Sequence, residues 1–214
     1  MDTEQTLTKV AFNAVLEMIK LGDLQDGAVV NERRLADQLG LSRTPVREAL
    51  GRLEGQNFLR RSGRTLLVNG VALSDILEIM SVRMGLESEA ARLASGRMTG
   101  EKIAALRQSL NSLDNPTHID AGYHWEVDDL LHLSIAESTG NSLLLRLIRD
   151  LRLRTRMFGK DKIPNRFSPG KSEHLAILDA IESGASETAA KLMRDHIEGA
   201  RAAIVQSLTQ ERAQ

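Results

Sequence analysis

Leu41-Ser42-Arg43-Thr44-Pro45-Val46-Arg47-Glu48-Ala49-Leu50 is the stretch that decides how this chain is read. Val46, Ala49, Leu50 and Leu53 recur at helical spacing and make one apolar face. Ser42 stands just before the first turn, where its hydroxyl is placed to accept from an unpartnered amide, so a helix is expected from Ser42 to about Gln56. Pro45 suits a first turn, which has no use for its missing N–H. Gly51 weakens the helix by about 1 kcal/mol relative to alanine. Directly upstream, Leu35-Ala36-Asp37-Gln38-Leu39-Gly40 reads as the end of a helix capped at Asn31 and closed by a glycine. Arg43, Thr44 and Arg47 fall away from the apolar face. Helix, glycine turn and a second helix with exposed cations form the layout of a helix-turn-helix, whose second helix enters the major groove of DNA.

The flanking residues extend this into a domain. Residues 6–21 are expected to form a helix with Val10, Ala14, Leu16 or Val15, Ile19 and Leu21 on its apolar side, stopped by Gly22. Residues 23–30 read as a turn and a short extended piece. From Phe58 to Val68, two strand-like runs flank Ser62-Gly63, so a hairpin with a basic tip is expected. Three helices and a hairpin make residues 1–70 a winged helix-turn-helix.

Charge supports that reading only when taken locally. The 214-residue chain has a formal net charge of −1, which by itself says nothing of nucleic acid. Residues 33–64 hold eight arginines against three acids, Asp37, Glu48 and Glu54. A local patch of this kind is what meets phosphates. Composition is 42% hydrophobic but only 3% aromatic, so the core must be aliphatic, which favours helices. The chain has no cysteine, which excludes disulfides and thiolate chemistry and fits a reducing cytoplasm. No apolar run approaches the roughly 18 residues of a membrane span, and Met1-Asp2-Thr3-Glu4 lacks the basic start of a secretory signal. A cytoplasmic protein without membrane contact is expected.

Residues 71–214 read as helix throughout, and the fold class is therefore mainly α. Ser74 is expected to cap a helix to about Ser95, and Thr99 another to about Leu113. Asn115-Pro116-Thr117 breaks the chain. Further helices are expected from Ile119 to Ser138, from an Asn141 cap to Phe158, from a Ser168-Pro169 start to Ser183, and from Ser186 to Leu208. A loop carrying Pro164 precedes the fifth. Six helices joined by short breaks imply an antiparallel six-helix bundle.

Several polar residues inside this bundle stand out. Asp128 and His132 are four apart and share a helix face, while His174 and His196 lie on two further helices. Their convergence would suit Zn²⁺ or another borderline divalent metal, although such a pair on an amphipathic helix is more often a surface or satisfied pair. His124 lies one turn before Asp128, as a fifth ligand or, in the favoured reading, a pocket-lining or surface histidine; His118 is expected to be exposed. Arg83 sits among apolar neighbours and needs a partner, either an anionic ligand or an acid such as Glu87. Tyr123 and Trp125, the only tyrosine and tryptophan, line a pocket or pack in the core. Arg146, Arg149, Arg152, Arg154 and Arg156 read as a solvated face with Leu143, Leu144, Leu147, Ile148 and Leu151 buried opposite; one of the arginines could reach a ligand.

Both halves resemble known regulators. Glu32-Arg33-Arg34-Leu35-Ala36, Leu39 to Leu50, and Arg52-Leu53-Glu54 resemble the DNA-binding domain of GntR-type bacterial regulators over about 40 residues, with Asp26-Gly27 where the family usually has a proline before the glycine. Arg83 with Glu87, Asp128-Asp129-Leu130-Leu131-His132, Gly140-Asn141, Glu173-His174-Leu175-Ala176-Ile177-Leu178 and Met193-Arg194-Asp195-His196 resemble the helical, FCD-type effector domain of the FadR-like branch. The six-helix count resembles its VanR-like subgroup.

The resemblance implies roles residue by residue. Arg33, Arg43, Thr44 and Arg47 would contact base edges and phosphates, with Ser62, Gly63 and Arg64 at the wing tip, as the local logic also suggests; Arg34, Arg52, Arg60 and Arg61 would touch phosphate or solvent. Asp128, His132, His174 and His196 match the family's metal-binding pattern, with Zn²⁺ the first choice and Ni²⁺ or Mn²⁺ as alternatives. Arg83 and Tyr123 would face a small, carboxylate-bearing effector. One recognition helix reads a half-site, so a homodimer on a palindromic double-stranded operator is expected. The function implied is a transcriptional regulator, read as a repressor with activation left open. Two rivals stay in view: a metal-dependent hydrolase-like bundle fused to a DNA reader, and an architectural DNA-binding dimer without effector.

Overall fold

A computed structural model describes residues 2–114, 121–158 and 167–211. The expected break at Asn115-Pro116-Thr117, the exposed position of His118 and the Pro164 loop lie outside the described residues, as do the side chains of Ser168 and Pro169. The chain separates into two compact units, Met1–Val71 and Ala72–Gln214.

The first unit comprises α1 (Asp2–Leu21), α2 (Glu32–Leu39), α3 (Arg43–Gly55), β1 (Leu59–Ser62) and β2 (Thr65–Val68). The stripe of α1 is Thr8, Ala11, Val15 and Ile19, while Val10 and Leu21 are exposed. Spacing of four through Ala11, Val15 and Ile19 therefore sets the buried face: Ile19 and Val15 lie on it as expected, whereas Val10 and Leu21 do not. This face packs on α3, where Val46, Ala49, Leu50 and Leu53 are buried as expected. At the same contact Thr8 Oγ1 donates to Glu48 at 2.9 Å.

The turn between α2 and α3 has clear local causes. Asn31 Oδ1 accepts from the Arg34 amide at 3.0 Å, and Gly40 takes the left-handed conformation that ends α2. Ser42 has extended cap geometry, but its hydroxyl makes no capping hydrogen bond, contrary to expectation. A cap accepts from the second or third amide of the helix, and the third residue here is Pro45, which has none.

In the wing, Ser62 pairs with Thr65 and Leu59 with Val68, so the two-residue turn is Gly63-Arg64, one residue later than the sequence suggested. The extended piece at Val29 bridges Leu67, and Val30 N donates to Leu66 O at 2.8 Å, which ties the stretch before α2 to the wing. Asp26 closes the same region by accepting from the Gly70 amide at 2.8 Å. A Cβ at Gly70 would meet the Asp26 side chain at 2.4 Å, so the bond needs a glycine there.

The second unit is a bundle of α4 (Leu73–Ala94), α5 (Gly100–Ser112), α6 (Ala121–Ser138), α7 (Ser142–Phe158), α8 (Phe167–Glu182) and α9 (Ser186–Glu211). Its fold matches the expected six helices. Thr99 caps α5 through the Lys102 amide, and Asn141 caps α7 through the amides of Leu143 and Leu144. Ser74, however, lies inside α4, which starts after Ala72, and its hydroxyl bonds to Asp75 instead. Helix α4 packs against α6, α7, α8 and α9. The core is aliphatic, with Ile76, Met80, Leu131, Ile148, Ile177 and Met193 buried.

Helix α7 departs most from expectation. Its buried stripe is Leu144, Ile148, Arg152, Thr155 and Phe158. Leu143 and Leu147 are exposed, and Arg152, expected in solvent, retains only 2% exposure.

Candidate nucleic-acid interface and metal centre

In the first unit, Arg33, Arg43, Thr44, Arg47, Ser62, Gly63 and Arg64 are all exposed. Arg47 of α3 and Arg61 and Arg64 of the wing line one groove together with Glu32. Recognition helix and wing thus present cations to the same space. Arg61 also pairs with Glu54 at 2.9 Å, and Arg52 lies over the Phe12 ring at 5.2 Å rather than standing free in solvent.

Glu32 is the residue that the charge count missed. It opens α2 and receives Arg43 Nε at 2.9 Å and Arg47 Nε and Nη2, each at 2.9 Å. The Arg47 hydrogen bond outweighs partial burial and, with Arg43, holds the Glu32 carboxyl below its usual range. Glu32 uses one side of each guanidinium and leaves an Nη1–Nη2 end for a guanine edge. It therefore orders both arginines while lowering the local positive potential. Glu32→Gln is expected to raise affinity for random DNA and steepen its salt dependence by about one unit of slope. The ratio of operator to random-DNA affinity should fall; an unchanged ratio across a salt series would show that Glu32 does not order the pair.

In the second unit, Asp128 and His132 come from α6, His174 from α8 and His196 from α9. One ligand atom from each lies within 4.8 Å of all the others. His174 Nε2 is 3.2 Å from His196 Nε2 and 3.3 Å from Asp128 Oδ1, and His132 Nε2 is 3.8 Å from the same oxygen. All three imidazoles are buried. His132 Nδ1 is bonded to Glu87, and His196 Nδ1 to Glu173 at 2.7 Å. A carboxylate on the far nitrogen fixes the tautomer and leaves Nε2 as a lone-pair donor. His132 Nε2 is buried and has no hydrogen-bond partner among the described residues.

Electrostatics keep the His132 and His174 rings neutral. Burial, followed by the Arg152 charge, pushes His132 down to about 4. Burial and then the neighbouring His196 push His174 well below its ordinary value. Neutral imidazoles are what a metal requires. A metal about 2.0–2.1 Å from nitrogen sets neighbouring donors a little over 3 Å apart, close to the separations seen here. Three nitrogens, among them the unsatisfied Nε2 of His132, and one carboxylate oxygen fit a borderline divalent ion.

Around the cluster lies a buried charge network. Glu87 accepts from Arg83 Nε at 2.6 Å, and Arg152 Nη1 is 3.7 Å from the same carboxylate. Arg152 Nε donates to Asp129 at 2.8 Å, its Nη2 bonds Asp128, and Arg156 lies 3.6 Å from Asp129. Burial alone would raise the Asp128 carboxyl, but the Arg152 charge holds it well below its usual range. Buried charges of this kind are tolerable only when matched. Arg152→Leu should therefore destabilise the protein by roughly 3–5 kcal/mol in urea unfolding. Arg146→Ala, on the exposed side of α7, should change stability by no more than about 0.5 kcal/mol.

A cavity adjoins the cluster, lined among others by Arg83, His124, Trp125, Asp128, His174 and His196. Arg83 is paired with Glu87, the intramolecular partner expected for it, and also lines the cavity; its Nη1 donates to Thr155 at 3.1 Å. His124 lines the cavity and is not one of the four clustered ligands. Tyr123 is not among the lining residues; its hydroxyl lies 2.8 Å from Ser112 Oγ.

A DNA-reading winged helix joined to a helical bundle with a buried site defines a two-part transcriptional regulator. Residues 7–65 match the family model described as bacterial regulatory proteins, gntR family, and residues 78–199 match the FCD domain. The chain is 31% identical over 175 residues to the Nta operon transcriptional regulator of Aminobacter aminovorans, covering 80% of this chain and 82% of that one. It is 32% identical over 151 residues to the HTH-type transcriptional regulator McbR of Escherichia coli K12, covering 70% and 68%. The solved structure of E. coli McbR/YncC superposes with a TM-score of 0.82 at 26% identity, covering 94% of this chain and 97% of that one. The chain belongs to the gntR family and carries an FCD domain; its relatives are transcriptional regulators, not enzymes. Among the described residues, no helix is long and apolar enough to cross a membrane.

Proposed function

We propose that the protein is a cytoplasmic, homodimeric, effector-controlled regulator, acting as a repressor, that reads a palindromic operator. Arg33, Arg43, Thr44 and Arg47 contact base edges and phosphates, and Ser62, Gly63 and Arg64 follow the adjacent backbone. Asp128, His132, His174 and His196 hold one divalent ion, Zn²⁺ in the first instance. When bound, such an ion supplies a Lewis-acidic position for an effector oxygen. Glu87 and Glu173 orient the imidazoles, and Arg152 restrains Asp128. A small organic acid occupies the cavity beside Arg83. Its binding favours one arrangement of the dimer's two DNA-reading units over another, and so changes operator affinity.

The observation that carries this reading is the convergence of four ligand atoms within 4.8 Å at the edge of a cavity. The test selects the operator from a randomised DNA pool. Affinity is then measured for zinc-loaded and chelator-treated protein, with and without a panel of small carboxylates. A ligand-dependent change of roughly 5- to 150-fold is expected. Affinity that ignores both metal and acids would favour an architectural DNA-binding dimer.

A further inference from the structure

The cavity's lining specifies its ligand more closely than "a small organic acid". Most of the wall is apolar, supplied by Met80, Leu110, Leu113, Trp125, Ile197 and Ala200. Its two cationic side chains of lysine and arginine type are already matched: Arg83 by Glu87 at 2.6 Å and Lys171 by Asp114 at 2.5 Å. Asp128 adds a negative charge to the same lining. Among the described residues, no unmatched arginine or lysine waits there for a second carboxylate. Burying an unmatched anion is costly, whereas apolar surface favours a hydrocarbon body. One lining group is unsatisfied in a different way: the Trp125 indole Nε1 is buried with no hydrogen-bond partner among the described residues. An indole nitrogen only donates, so the group that would satisfy it is an acceptor.

From these three observations we propose that the cavity binds a monocarboxylic acid with an apolar body that carries one neutral acceptor, a keto, ether or hydroxyl oxygen, for the Trp125 N–H. Its single carboxylate lies at the end of the cavity lined by Asp128, His174 and His196, where the ion they would hold with His132 supplies the matching positive charge. Among the described residues, the matched cations and the apolar wall disfavour dicarboxylates, tricarboxylates and sugar acids. The proposal rests on the cavity being the effector site.

Trp125 is the only tryptophan in the chain, so intrinsic fluorescence reports directly on this wall. Zinc-loaded full-length protein is titrated with acetate, hexanoate, 5-oxohexanoate, succinate and citrate. Affinity should rise roughly fourfold for each methylene buried, placing hexanoate well above acetate. 5-Oxohexanoate should bind several-fold more tightly than hexanoate, with succinate and citrate weakest. In Trp125→Phe, followed by thermal shift, the advantage of the oxo acid should vanish while hexanoate still binds. An equal preference for citrate or succinate, with operator affinity still responding, would overturn the ligand class and leave the regulator reading intact. An oxo acid no tighter than hexanoate in the parent protein would overturn the role given to Trp125. If no acid altered fluorescence or operator affinity, the effector reading itself would fall, and this inference with it.

Discussion

Arg43→Ala combined with Arg47→Ala is expected to abolish specific operator binding while leaving the fold intact. Both side chains are exposed and project from α3 away from its buried face of Val46, Ala49, Leu50 and Leu53. Their only partner among the described residues is Glu32, at the start of α2. A bidentate arginine–guanine contact is worth roughly 5- to 150-fold in discrimination, so losing two costs roughly 25- to 20,000-fold in operator affinity. Loss of random-DNA binding should be smaller, because the remaining arginines of the wing and of α2 still meet phosphates. Fluorescence anisotropy with operator and scrambled duplexes measures both, and circular dichroism checks the fold. If the operator were bound as tightly as by the parent protein, α3 would not be the recognition helix.

The second large effect is expected at His174. Its Nε2 lies within 3.3 Å of both His196 Nε2 and Asp128 Oδ1, and its ring stands edge-on to His132 at 5.2 Å between centroids. His174→Ala should therefore lower metal content from about one ion per chain to almost none. The stabilisation that added zinc gives the parent should disappear in the variant, because a ligand stabilises only the state that binds it. Glu87→Gln should act more mildly, reducing metal affinity roughly 10- to 100-fold through the orientation of His132. His124→Ala, in the cavity wall but outside the cluster, should retain the ion. Elemental analysis and thermal unfolding with and without zinc distinguish these outcomes. Full metal occupancy in His174→Ala would place the ion elsewhere.

Much of this architecture is legible in the sequence because local signals agree. Gly40, Asn31 and the Val46–Leu53 stripe fix the helix-turn-helix, and Thr99 and Asn141 start their helices by a bond that a reader can anticipate. Periodicity was harder to use where a charge sat on the buried face. Position 152 follows Leu144 and Ile148 at steps of four, so the stripe itself indicated burial, but the run of five arginines suggested solvent instead. What outweighs the cost of burying Arg152 is a pair of carboxylates from α6, Asp128 and Asp129, and that is a tertiary fact. Glu32 was overlooked for a simpler reason: the arginine-rich window began one residue after it. Ser42 shows the converse, a good cap residue deprived of a partner by Pro45. The four candidate ligands could be picked out from residue type and family resemblance, yet their convergence depends on how α6, α8 and α9 pack.

The most direct test of the account is X-ray diffraction from zinc-loaded crystals at energies on either side of the zinc absorption edge. The account predicts one strong anomalous peak per chain in the second unit, within about 2.0–2.2 Å of Asp128 and the Nε2 atoms of His132, His174 and His196. No peak there, or a peak held by other residues, would contradict it.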